Sequence, residues 1–142
     1  MSRRIALLLT AAAAVAMQAC ATEPTPPSAP ATFETGALKI AGEAFAPADI
    51  LDARALPDIN KKVGILLTLT PAAARRLETI TTALVGKPML VALDGRTLGA
   101  ELIRKPVAGG VIEIPGRWTL GDAEALARRI SGKDPLPDDL GE

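Results

Sequence analysis

The run Met89-Leu90-Val91-Ala92-Leu93 constrains the fold more than any other stretch of the chain. It is short and wholly apolar, with Pro88 before it and Asp94-Gly95 after it. A run of this length between turn residues reads as a strand that returns through a tight turn. Asp94-Gly95 suits a type I′ hairpin, whose two central residues both need positive φ. The strand is expected to be apolar on both faces and so central in a sheet, with residues 96–100 returning beside it. Ile103-Arg104-Lys105-Pro106 and Gly109-Gly110 then lead to a strand over 111–114, which Pro115 and Gly116 end.

Further elements flank this unit. Val63, Ile65, Leu67 and Leu69 recur at period two within 62–69, the pattern of a half-buried strand. Thr70-Pro71 supplies an N-cap and a proline at the first helical position, where a missing N–H costs nothing. The helix is expected to run to about Val85, with Ala73, Leu77, Ile80 and Leu84 on one stripe, Arg75, Arg76 and Glu78 on a solvated face, and Gly86 as its stop. Thr119 and Asp122 resemble a shortened capping box for a second helix. Its buried stripe is Ala123, Leu126, Ala127 and Ile130, Trp118 packs into the core ahead of the cap, and Glu124 pairs with Arg128. Residues 38–41 and 50–55 are weaker strands. Two amphipathic helices need a shared apolar surface. The expected fold is therefore α+β, a mainly antiparallel sheet with both helices packed on one face.

Composition removes most catalytic chemistry. The 142-residue chain has no histidine, no tyrosine and one cysteine. Histidine-based triads, histidine-ligated zinc and intramolecular disulfides are excluded. A formal net charge of zero gives no electrostatic case for nucleic acid. Phe33, Phe45 and Trp118 are the only aromatic residues, too few for a stacking platform. Asp49, Asp52 and Asp94 read as turn or surface residues, since none has an identifiable acid or base partner. Gly109-Gly110 lacks the Lys-Ser/Thr of a phosphate loop and precedes a strand, so its glycines answer to positive φ or to a close backbone approach. No catalytic, metal or cofactor residue is assigned, and a small carboxylate hydrolase is the weakest reading.

Residues 1–20 read as a targeting segment: Arg3 and Arg4, then an apolar run from Ile5 to Met17 too short to span a bilayer. Two cleavages remain open. Met17-Gln18-Ala19-Cys20 is similar to a bacterial lipobox, which would make Cys20 the lipid acceptor, with Met17 where leucine is usual. Ala19-Cys20-Ala21 would instead be cut before Thr22. The lipoprotein reading is favoured, because the chain's single cysteine follows the apolar run directly and a proline-rich segment over 21–36 follows it. That segment suits an extended spacer holding a domain at 37–137 away from a membrane. Residues 138–142 are an acidic tail, and the chain after Gly132 is expected to be loose.

The order of pieces in the second half carries a resemblance. Val91-Ala92-Leu93-Asp94-Gly95, Gly109-Gly110, Gly116-Arg117-Trp118-Thr119, Ala123-Glu124-Ala125-Leu126-Ala127, and Gly132 through Leu136-Pro137 follow one another as in the first periplasmic head subdomain of the SecD/SecDF protein-translocation family. Asp49-Ile50-Leu51-Asp52-Ala53 resembles a further step of that pattern. The family's membrane helices and intramembrane acid have no counterpart in this sequence. The resemblance implies a periplasmic, non-catalytic binding module that touches translocating or unfolded chains, or the translocation machinery. The alternative is an envelope scaffold or assembly lipoprotein with a folded partner. The expected contact segment is the loop holding Ile103, Arg104, Lys105, Gly109 and Gly110, read as mobile between two strands.

Overall fold

A computed structural model describes residues 33–138. The readings of residues 1–32, Cys20 included, and of 139–142 lie outside the described residues. Seven strands and two α-helices follow in the order β1 (Leu38–Ile40), β2 (Glu43–Phe45), β3 (Ile50–Pro57), β4 (Val63–Leu69), α1 (Pro71–Ala83), β5 (Pro88–Leu93), β6 (Arg96–Leu102), β7 (Val111–Trp118) and α2 (Leu120–Ser131). A single 3₁₀ turn, Pro47–Asp49, separates β2 from β3. The fold is α+β and every strand pairing is antiparallel.

The strands form two sheets where the sequence led us to expect one: β2-β1-β5-β6 and β3-β4-β7. They share one core. Leu38, Ile40, Met89, Val91 and Leu93 from the first sheet meet Ile65, Leu67, Ile112 and Ile114 from the second. Both helices turn their apolar stripes into that cluster, through Ala73 and Leu77 on α1 and Ala123, Ala127 and Ile130 on α2. The sheets approach at Gly99, where an added β-carbon would stand 3.1 Å from Ile114 Cγ2 and 3.2 Å from the Pro115 carbonyl oxygen.

Local signals place most elements. Thr70 Oγ1 accepts from the Ala73 N–H and caps α1. Thr119 Oγ1 does the same for the Asp122 N–H at α2. Asp94 and Gly95 have φ of 51° and 79°, as the hairpin turn requires. The four alternating apolar residues of β4 are all buried. Helix α1 ends at Ala83, two residues short of the expected Val85, and Ala74 and Thr81 complete its buried face beside Ala73 and Leu77.

Several expectations are corrected. Strand β7 does not stop at Pro115 but continues to Trp118. Its pairing with β4 shifts register between Val63 and Ile65, and this bulge accommodates a proline that has no N–H to give. Arg128 pairs with Asp134 at 2.8 Å instead of with Glu124. Arg76 is engaged on the side of α1 expected to be solvated: it lies over the Phe45 ring, donates to the Ala44 carbonyl at 2.7 Å and pairs with Asp49. Asp52 is only 6% exposed and is no surface residue. It receives the Leu136 N–H at 2.8 Å and Arg54 Nε at 2.6 Å, so the chain beyond Gly132 is docked along β3 and not loose. Trp118 is half-buried against the core.

Candidate interaction surface

Strand β5 lies inside its sheet, between β1 and β6, but it is not apolar-buried on both faces. Met89, Val91 and Leu93 point into the core, whereas Leu90 is 50% exposed. In register, Leu90 stands beside Ala100 and Pro88 beside Leu102, which is itself 53% exposed. Same-face neighbours on paired strands contact one another, so these four make a continuous apolar strip on the outer face of the sheet. Strand β6, on which the strip ends, is the terminal strand of its sheet. Sequence reasoning missed this strip by assigning Leu90 to the core. The available signal was an apolar residue in both phases of β5, one more than a one-sided sheet needs.

The strip runs into the segment 103–110. Of the residues expected to make contact, Arg104, Lys105 and Gly109 are exposed, whereas Ile103 and Gly110 face inward. Ile103 is 3% exposed, donates its N–H to the Lys87 carbonyl and accepts from the Gly86 N–H. Val107 donates its N–H to Thr81 Oγ1 at 2.9 Å, and that hydroxyl donates to the Leu77 carbonyl at 2.8 Å. Gly110 gives its carbonyl to the Leu69 N–H. Gly109 and Gly110 have φ of 84° and 69°. An open cleft of about 560 Å³ runs along residues 101–108. The segment is therefore held at three points, and it projects two cations between the first and the second of them.

The other end of the sheet is different. Asp94 Oδ1 accepts the Ala37 N–H at 2.8 Å and Oδ2 accepts from Arg129, so both carboxylate oxygens are engaged in structural hydrogen bonds. The chain enters the domain here, with Phe33 N–H donating to the Gly132 carbonyl and Gly36 N–H to that of Arg129. Because β5 has six residues, about 20 Å separate this end from the Pro88 end where Arg104 and Lys105 project.

Comparison with known proteins decides the family. The sequence pattern described as SecDF, P1 head subdomain, matches residues 34–133. The chain belongs to the SecDF P1 head subdomain family. It is 36% identical over 91 residues to the protein translocase subunit SecDF of Thermus thermophilus, covering 63% of this chain and 12% of that one. It is 32% identical over 79 residues to the protein translocase subunit SecD of Rhodobacter capsulatus, covering 56% and 14%. A solved structure of SecDF, described as a membrane component that enhances protein export, superposes with a TM-score of 0.58 at 33% identity, over 66% of this chain and 42% of that one. The chain thus spans a small fraction of the length of these translocase subunits. Among the described residues, no helix is long and apolar enough to cross a membrane.

Proposed function

We propose that this SecDF P1 head-like protein is a non-catalytic binding module that holds extended, incompletely folded protein chains in the periplasm. In this reading Cys20 is lipidated and the proline-rich segment over 21–36 is the tether. The observation that carries the proposal is the strip of Pro88, Leu90, Ala100 and Leu102, which leads to Arg104 and Lys105 at the end of β5 farthest from where the chain enters. A tether reaching the domain at Phe33 leaves that surface pointing away from its anchor. Extended chains expose apolar side chains, and a solvated apolar strip on a sheet face offers a place for them. The two cations favour segments carrying acidic residues.

The apolar residues lie on a sheet face and not in a deep groove, and this favours a second reading in which the partner is a folded envelope protein. Photo-crosslinking in cells from position 102 separates the two. Capture of many different exported chains supports the holding reading, and a single folded partner overturns it in favour of the scaffold. Replacing Arg104 and Lys105 with alanine is expected to lower client capture with little change in thermal stability.

A further inference from the structure

The segment that follows α2 crosses the outside of β3 in an unusual way. Leu136 lies between Pro135 and Pro137, so it has the only N–H of that triplet. Asp52 takes that N–H at 2.8 Å, and Arg54 Nη2 donates to the carbonyl of the same residue at 2.9 Å. Arg54 also engages Asp138 and Asp52, and Arg128 holds Asp134 at 2.8 Å. A cleft of about 360 Å³ lined by Leu51, Leu66 and Thr68 adjoins Leu136.

A segment with prolines on both sides of Leu136 lacks N–H donors along one edge and can lie beside a strand only with that edge turned outward. Here two side chains spaced i, i+2 on β3 read both backbone groups of one residue in place of a ladder. Asp134 and Leu136 each precede a proline and so favour extended conformations before docking, which lowers the entropy lost on binding. The hold is also shallow: Leu136 remains 42% exposed, and the flanking ion pairs are exposed on their acidic side. Exposed pairs of that kind contribute little net attraction. The groove is built to recognise this type of segment, but it does not bury it deeply.

We propose that Asp52 and Arg54 form a binding site for proline-flanked, extended, acidic peptide segments, and that residues 134–138 are its resident, displaceable occupant. It lies apart from the Arg104–Lys105 surface and does not depend on the function proposed there. The test is fluorescence anisotropy with a labelled peptide of the sequence Lys133–Asp138. Binding is measured on the full chain and on a variant carrying Leu136→Pro with Asp138→Ala, which removes the tail's donor and its Arg54 partner while leaving Asp52, Arg54 and the rest of β3 unchanged. The expected result is at least ten-fold tighter binding to the variant than to the unaltered chain. A second variant that ends at Lys133 removes the whole occupant and opens the same site if the first fails to fold. A peptide N-methylated at leucine should bind the opened protein at least ten-fold more weakly than the plain peptide. No binding to either opened variant at millimolar peptide, or equal binding of the N-methylated peptide, overturns the proposal.

Discussion

A β-carbon on Gly110 would stand 2.5 Å from the β-carbon of Ala74, and the residue has φ of 69°. The segment that carries Arg104 and Lys105 is thus seated directly on α1, at a spot with no room for a side chain. Gly110→Ala combines a left-handed backbone with an overpacked contact, at roughly 1–2 and 1–3 kcal/mol. We expect a total loss of about 2–5 kcal/mol in denaturant unfolding. Adding Ala74→Gly should restore the steric share and leave the backbone share, so the double-mutant cycle should show a favourable coupling. Additive losses would mean that the two residues do not meet.

Thr81 is the second point at which the segment is held. Thr81→Val keeps the shape but leaves the Val107 N–H without its acceptor. An unpaired, part-buried donor costs about 1–3 kcal/mol. The expected outcome is a loss in that range, together with faster amide exchange at Val107 than in the parent. Unchanged exchange at Val107 would show that the hydroxyl does not hold the segment.

The Asp58 carboxylate accepts N–H groups from Asn60 and Lys62 in the turn between β3 and β4. These bonds, the one from Lys62 first, hold its pKa below the ordinary carboxylate value. The folded state therefore binds this proton less readily than the unfolded chain. The associated stability is complete above the ordinary carboxylate pKa and is lost as pH falls through the lower folded value. Carbon-detected NMR titration should give Asp58 a midpoint below those of exposed carboxylates, and Asp58→Asn should remove its share of the acid dependence. An ordinary midpoint would contradict the turn geometry.

What the sequence made legible was local. The Thr70-Pro71 start of α1, the Asp94-Gly95 turn and the period-two run of β4 each rest on residues a few positions apart, and each appears where expected. What it did not reveal depends on distant partners. Pro115 reads as a strand end until it is seen to lie in a bulge of β7, where the stretch from Ile114 to Trp118 stands opposite only Ile65 to Val63 of β4. Leu90 reads as core until β6 is seen to pair beside it with nothing among the described residues covering the outer face. Asp52 reads as a surface residue because its partner, Leu136, lies 84 positions along the chain. The division into two sheets belongs to the same class, since no local signal tells β3 and β4 to pair with β7 instead of β5. At the candidate site, the segment 103–110 was visible from its glycines and cations. The strip of Leu90, Ala100 and Leu102 was not.

The central claim is that the outer strip and its adjacent cations bind extended chains. The direct measurement is equilibrium binding of a fluorescent, permanently unfolded polypeptide, such as a reduced and carboxymethylated protein, to the purified chain. Leu90→Asp with Leu102→Asp alters the apolar strip at two exposed positions. Arg104→Ala with Lys105→Ala removes the cations. The account predicts saturable binding to the parent, at least ten-fold weaker binding to each double variant, and a thermal midpoint that moves by no more than a few degrees in either. No saturable binding to the parent, or full binding retained by both variants, would contradict it.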